Sequence, residues 1–238
     1  MKLGVSWAAA PDMTVDALID ATAARGMQAV ELLASDGYRV LSVAEAERLC
    51  GLAAKARVVV AGLTASSFDN SAVNIARLAA VSRVLDAPVI VGEGSTPRRI
   101  SMAASIAGAG GVAHPLVEDA VDAQMVVDAQ LSYAWHADPA QVDICSVLAD
   151  MPETSTALRY IRFTGGGPES PLNDGRGVGS FMAHLAIGGY RRSLILTSSD
   201  HHYRVIWRTW LGRRAWGCGS KADAAPVTID TLHIAGVS

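Results

Sequence analysis

Residues 2–34 read KLGVSWAAAPDMTVDALIDATAARGMQAVELLA, and they alternate between two kinds of apolar pattern. KLGVSW (2–7) and QAVELLA (28–34) are short and β-rich, which predicts strands. Between them, VDALIDATAARG (15–26) carries apolar residues at helical spacing and ends at Gly26, which predicts a helix. Strand, helix and strand in this order are typical of parallel strands joined by helical crossovers.

The same alternation continues along most of the chain. It predicts further strands at 57–62, 88–94, 111–116, 125–131, 158–163 and 192–198, and helices at 42–56, 70–86, 97–107, after Pro139, at 178–189 and at 203–216. Eight such units in 238 residues predict one domain with a (β/α)8 TIM-barrel fold, and an open doubly wound sheet is the alternative. Residues 217–238 are interpreted as a C-terminal tail, with a short edge strand at 227–234 as one reading of it.

The pattern is weakest in the Gly/Ala-rich middle, around residues 108–131. His114 and Asp128 would lie on successive strands, yet the residues between them are barely enough for a helical crossover. The sequence therefore predicts that one βα unit is shortened or missing here.

Composition excludes several classes of function. A net charge of −3 offers no basic field for nucleic acid, and no apolar run approaches the roughly 20 residues that cross a bilayer. The 3 cysteines form no CxxC pair, which favours a reducing compartment. We expect a cytoplasmic protein with a small-molecule partner, neither nucleic acid nor membrane.

Active sites of such barrels are built at the carboxyl ends of the strands and in the loops that follow. This rule selects ionisable side chains from several separate elements: Glu31, Glu93, His114, Asp128, Arg162, Asp200, His201 and His202. Asp200 has a plainer alternative, because it stands where a helix N-cap belongs.

Two loops add weaker candidates. His136 follows Trp135 in SYAWHADP (132–139), where an aromatic–histidine pair can line a pocket. Gly165 and Gly166 belong to the glycine-rich FTGGGPESPLNDGRGVG (163–179), whose bare backbone N–H groups could bind a phosphate or carboxylate. The motifs GxxxxGK[ST], GxGxxG after a first strand and GxSxG are absent, which disfavours nucleotide binding and acyl transfer.

Four phrases of the sequence resemble the xylose isomerase-like TIM barrels, the superfamily of sugar isomerases, sugar-phosphate isomerase/epimerase-like proteins and endonuclease IV. They are KLGVSW (2–7), ATAARGMQAVELLA (21–34), ARLAAVSRVLDAPVIVGEGS (76–95) and GRGVGSFMAHLAIGGYRRSLILTSSD (175–200). The resemblance implies an isomerase or epimerase that acts on a small polyhydroxy or hydroxy-carbonyl compound.

Active members of this superfamily typically hold a divalent metal through carboxylates and histidines at the ends of late strands. Carried onto this chain, the ligand set is incomplete. Asp128 remains, but Leu131 stands where a histidine is expected, Arg162 replaces a second histidine, and Ser198 or Ser199 replaces a glutamate. The resemblance thus implies a broken metal site and no cofactor, although a rearranged site using Asp200 and His202 stays open.

The function predicted is enolisation-type acid–base chemistry, with Glu93, His114, Asp128 and His202 as catalytic acids and bases. Arg162 would hold an oxyanion or carboxylate, and Glu31, His136, Gly165, Gly166, Asp200 and His201 would contact the substrate. The alternatives are a barrel that binds a ligand or partner without turnover, or a metal-independent lyase or cyclase. Tyr203, Trp207 and Trp210 recur at helical spacing, typical of packing or a subunit interface, so the sequence allows a homodimer.

Overall fold

The computed structural model describes residues 2–10, 13–35, 41–65, 71–138, 144–152, 156–164, 181, 185, 187 and 190–197. Its strands are β1 Lys2–Ser6, β2 Ala29–Ser35, β3 Val59–Ala65, β4 Val89–Val91, β5 Ala113–Val117, β6 Tyr133–Ala137, β7 Leu158–Phe163 and β8 Ser193–Leu196. Its helices are α1 Val15–Ala24, α2 Val43–Ala56, α3 Ala72–Leu85, α4 Thr96–Gly108, α5 Ala120–Asp128 and α6 Ile144–Asp150.

The eight strands close into a barrel in which each strand pairs in parallel with the next and β8 pairs with β1. The predicted (β/α)8 TIM barrel is confirmed, and the open sheet is excluded because Lys2 to Val5 pair with Ser193 to Leu196. All carboxyl ends of the strands therefore meet at one mouth.

Helix boundaries follow local capping. Thr14, Ser42, Ser71 and Asp119 each accept a hydrogen bond from a backbone N–H of the first turn that follows them, which satisfies a donor that the helix itself cannot. Beyond α1, Gly26 adopts φ 67°, a left-handed conformation that costs glycine little.

Apolar residues fill two separate layers. Outward-facing strand residues such as Val30, Val60 and Leu194 pack under the helices. The barrel interior has its own cluster, formed by Ala29, Ile90, Leu116, Ala134, Tyr160 and Ile195. This alternation tells which residues of each strand face the interior, and hence which ones rise toward the mouth.

The strand predicted at 125–131 is wrong, and no βα unit is missing, although α5, with 9 residues, is shorter than α2, α3 and α4, which have 14, 14 and 13. Residues 120–128 form α5, where Ala123 and Val126 are buried three apart while Met125 is 40% exposed, a helical pattern rather than strand alternation. The next strand is β6, and its YAWHA sequence corrects the loop predicted at 132–139. Asp119 caps α5 and fixes its start directly after β5, so a βα unit with a short helix fits between β5 and β6.

The predicted helices at 178–189 and 203–216, and the edge strand at 227–234, lie wholly or mostly outside the described residues. Within the part of the chain that the structure describes, no helix has the length and apolar content needed to cross a membrane.

Candidate active site

A buried carboxyl group occupies the barrel interior just below the mouth. Glu31 on β2 is 0% exposed, and Ser6 at the end of β1 donates a hydrogen bond to its Oε1 at 2.6 Å. Tyr160 on β7 donates to its Oε2 at 2.6 Å. Burying a carboxyl group is costly without such donors, so these hydroxyls explain how the barrel tolerates Glu31.

Arg162 completes this cluster from the far side of the barrel. Its Nε lies 3.3 Å from Glu31 Oε2, which is an ion-pair distance, although the angle is outside hydrogen-bond geometry. The Arg162 side chain is 16% exposed, and none of the described residues accepts a hydrogen bond from its terminal nitrogens. The two terminal nitrogens of Arg162 therefore have N–H groups that no described residue accepts. Its Nε, in contrast, is held beside the buried carboxylate of Glu31.

Tyr160 donates a hydrogen bond to Glu31 and is not an acid or base at neutral pH. Burial first, and then the charge and hydrogen bond of Glu31, raise the pKa of Tyr160 well above its usual value. Its ring fits because β3 carries Gly62 opposite it: a Cβ at Gly62 would lie 2.9 Å from the Tyr160 ring.

Replacing Gly62 with alanine is therefore expected to destabilise the fold by about 1–3 kcal/mol, since Tyr160 is buried and cannot move without losing Glu31. Urea unfolding would measure this. The matched control is Gly51→Ala on the exposed face of α2, where a Cβ meets nothing within 4 Å and where alanine should stabilise the helix by up to about 1 kcal/mol. Equal stability of Gly62→Ala and the parent chain would contradict this packing.

His136 stands beside Arg162 on the neighbouring strand. It is two residues beyond the interior residue Ala134, and its Cα pairs in register with that of Arg162. Burial and then the positive charge of Arg162 lower the pKa of His136, while Asp138, Glu118 and Glu31 oppose this shift. The imidazole is therefore neutral at pH 7 and able to accept a proton.

A line of hydroxyls runs from His136 along the rim. Thr164 Oγ1 lies 2.6 Å from His136 Nε2, and Thr197 Oγ1 lies 2.8 Å from Thr164 Oγ1. Thr197 Oγ1 also donates to the carbonyl oxygen of Phe163 at 3.2 Å. The mouth therefore combines an imidazole, a guanidinium and a buried carboxylate with a polar rim.

Of the predicted site residues, Glu31, His136 and Arg162 come together at this mouth. Glu93 lies in an exposed turn two residues past β4, and its catalytic role stays a prediction. The placement of Asp128 on a strand is wrong: it is exposed at the end of α5 and accepts a hydrogen bond from Gln124 at 2.8 Å. Gly165, Gly166, Asp200, His201 and His202 lie outside the described residues.

His114 does face the interior, but at the opposite end of the barrel. It is the second residue of β5, before the interior residue Leu116, and it neighbours Ser132 and Arg159. Burial, together with the charge of Arg159, lowers its pKa to about 4 against weaker opposing contacts with the backbone of Ala113 and Ser132. His114 therefore does not lie at the mouth with Glu31, His136 and Arg162.

His114 should make the fold sensitive to acid. Its pKa is lower in the folded chain than the ordinary 6.5, so the unfolded chain binds more protons between these values and stability falls as pH drops through this window. We expect a loss of about 3 kcal/mol from this group between pH 7 and pH 4. Urea titrations at several pH values would show a smaller loss in His114→Asn, and identical losses in the two proteins would contradict the assignment.

Sequence reasoning missed Ser6, Tyr160, Thr164 and Thr197. A signal was present for two of them, because Tyr160 and Arg162 on β7 and Thr164 directly after it are each two residues apart, a spacing that places side chains on one face of an extended chain. Ser6 and Thr197 are single hydroxyls at strand ends, and nothing in the sequence separates them from ordinary polar boundaries.

The described residues of the mouth do not fit the divalent metal that the resemblance implies. Among the described residues, no group of three His, Cys, Asp or Glu side chains is placed to hold a metal ion. In the described part of the mouth, Glu31 already accepts hydrogen bonds with both oxygens, and Asp138 and Glu118 are the other carboxylates that influence the single imidazole, His136. The Arg162 guanidinium beside them would also repel a divalent cation. A site that uses Asp200 and His202 stays a prediction outside the described residues.

Comparison with known proteins identifies the fold. No protein-family model matches the chain, and no curated protein matches it in sequence. The D-psicose 3-epimerase of Clostridium cellulolyticum H10 matches with a TM-score of 0.63 and 13% identity over 90% of this chain and 99% of its own. An L-ribulose 3-epimerase gives 0.58 and 12% over 93% and 99%.

A xylose isomerase domain protein from Planctomyces limnophilus also matches, with a TM-score of 0.60 and 13% identity over 91% of this chain and 97% of its own. At such identities the likeness is one of fold, which hosts many activities. The resemblance inferred from the sequence is confirmed at this level: the chain has the fold of the xylose isomerase-like TIM barrels.

Proposed function

We propose that this chain is an epimerase- or isomerase-like enzyme that enolises a small polyhydroxy or hydroxy-carbonyl compound at the barrel mouth. One observation carries the proposal: Arg162, anchored on buried Glu31, presents open N–H donors next to the neutral imidazole of His136. An anion receptor beside a proton acceptor is what enolisation requires.

The reaction follows from these two groups. The imidazole of His136 takes the proton from the carbon next to the carbonyl group, and the electrons of the broken C–H bond form the C=C bond of an enediolate. The carbonyl oxygen becomes negative and binds the Arg162 guanidinium, whose charge strengthens the interaction most when the oxygen is fully anionic. Protonation of the same carbon on its opposite face by solvent water, with the imidazolium returning its proton to the hydroxide so formed, gives an epimer. Return of the proton from His136 to the former carbonyl carbon, with the hydroxyl proton of the carbon first deprotonated passing to the oxygen held by Arg162, gives an isomer.

Glu31 has a supporting part in this account. Its two oxygens accept hydrogen bonds from Ser6 and Tyr160, and the side chain is 0% exposed, so Glu31 lies below the surface that a substrate would contact. Its negative charge instead fixes the position of Arg162 and offsets the cost of holding a guanidinium at the mouth. We therefore assign Glu31 as a positioning residue.

Enolisation has a direct signature, the exchange of a carbon-bound hydrogen with solvent. The protein would be incubated in D₂O with ketoses, including D-psicose, D-tagatose, D-fructose and L-ribulose, and loss of the proton next to the carbonyl group followed by ¹H NMR. We expect exchange with at least one ketose and a rate lower by roughly 10²–10⁴-fold in His136→Gln. Binding without exchange would support a ligand-binding barrel and would overturn the enzyme.

A further inference from the structure

We infer that Thr164 and Thr197 fix His136 as the tautomer with its proton on Nε2, which makes Nδ1 the atom that accepts the substrate proton. The second half of this inference rests on the proposed function. The first half rests on three contacts in series: His136 Nε2 to Thr164 Oγ1 at 2.6 Å, Thr164 Oγ1 to Thr197 Oγ1 at 2.8 Å, and Thr197 Oγ1 to the Phe163 carbonyl oxygen at 3.2 Å.

The direction of these bonds follows from where the series ends. A carbonyl oxygen can only accept, so the Phe163 contact is a hydrogen bond only if the Thr197 hydroxyl donates to it. Thr197 has a single hydroxyl proton, which leaves its oxygen to accept from Thr164. Thr164 has then donated its own proton, so its oxygen must accept from Nε2–H of His136.

The opposite direction makes one bond fewer. If Thr197 donated to Thr164 and Thr164 donated to Nε2, two oxygens would face each other at Thr197 and Phe163 without a proton between them. The Phe163 oxygen also accepts from the backbone N–H of Thr197 at 2.9 Å, which its second lone pair allows. Because buried polar groups favour full satisfaction, the first direction is the stable one.

The consequence lies on the other side of the ring. With the proton on Nε2, Nδ1 carries a lone pair, and none of the described residues donates a hydrogen bond to it. Thr164 and Thr197 are thus positioning residues, which act through the imidazole and need no contact with substrate.

The tautomer can be read without any substrate. Long-range ¹H–¹⁵N correlation spectra of the ¹⁵N-labelled protein at pH 7 distinguish protonated from unprotonated ring nitrogens, and the signals of His136 are those absent from His136→Gln. We expect proton-bearing Nε2 and bare Nδ1 in the parent protein and in Thr164→Ser, which keeps the hydroxyl. A parent ring protonated on Nδ1 would overturn the inference.

Two variants test the cause. Thr164→Val removes the acceptor of Nε2–H, and Thr197→Val frees the Thr164 hydroxyl to donate toward the ring, so each should raise the Nδ1–H fraction by roughly fivefold to tenfold. Thr197→Val is the sharper test, because Thr197 does not contact the ring, and it also serves if Thr164→Val fails to fold. Unchanged tautomer ratios in the folded variants would contradict the relay.

Deuterium exchange then separates the two halves of the inference. If His136 Nδ1 is the proton acceptor, Thr164→Val and Thr197→Val should lower the turnover rate of exchange about tenfold with KM little changed. A shifted tautomer with an undiminished exchange rate would overturn Nδ1 as the acceptor while the relay stands. Absence of exchange in the parent protein would instead overturn the proposed function, and the spectra would still decide the tautomer.

Discussion

Replacing Glu31 with glutamine is expected to lower the free energy of unfolding by about 3 kcal/mol at pH 7. The glutamine keeps the shape and one acceptor oxygen, but it leaves Arg162, 16% exposed, without the negative charge 3.3 Å from its Nε. An unpaired charge in a low-dielectric barrel interior is costly. Urea unfolding would measure the loss.

The chain offers a matched control for this substitution. Asp16 and Arg48 form an ion pair at 2.8 Å whose side chains are 49% and 53% exposed, so Asp16→Asn should leave the unfolding midpoint almost unchanged. The double variant Glu31→Gln with Arg162→Met leaves no lone charge and should be more stable than Glu31→Gln alone. If it is not, the two charges do not stabilise each other.

Replacing Arg162 with methionine is expected to lower kcat/KM for deuterium exchange by roughly 10²–10³-fold, with any ketose that the parent protein enolises. In the proposed mechanism, the substitution removes the guanidinium that would bind the enediolate oxygen, and Glu31 lies 3.3 Å from its Nε. The kcat/KM of Arg162→Lys should lie between those of the parent protein and Arg162→Met, because an ammonium group keeps the charge but lacks the planar arrangement of N–H donors.

Arg48→Met is the control for this second substitution. It removes an arginine from an exposed ion pair between α1 and α2, away from the strand ends, and should leave exchange at the parent rate. A rate in Arg162→Met equal to that in Arg48→Met would mean that the guanidinium does not stabilise the intermediate.

The fold could be predicted because its evidence repeats along the sequence. Each βα unit contributes a short apolar run for the strand, apolar residues at helical spacing, and often an N-cap residue such as Ser42. An error in the prediction of one unit therefore does not change the predicted architecture. The error at 125–131 has a local cause: MVV is apolar and short, and periodicity alone does not separate a buried strand from a helical segment of that length. Because residues 125–131 are predicted as the sixth strand, the residues of β6 are predicted as the loop that follows it.

The site could be predicted only in part, because its residues are defined by contacts across the barrel. Glu31, His136 and Arg162 were candidates as ionisable groups near strand ends, but no sequence pattern links positions on β2, β6 and β7. The hydroxyls of Ser6 and Thr197 matter only through the partners that the closed barrel gives them. Asp128 shows the converse, since an apparent strand-end carboxylate proved to be an exposed helix residue.

The most direct test of the account is deuterium exchange by protein stripped of metal with a chelator, followed by dialysis, with the metal content measured in parallel. We predict that the stripped parent protein exchanges a ketose hydrogen at its original rate and that stripped Arg162→Met does so at least roughly 10²-fold more slowly. Loss of exchange on stripping, with recovery when Mn²⁺ or Co²⁺ is returned, would contradict the account and make a metal ion, rather than Arg162, the group that stabilises the enediolate.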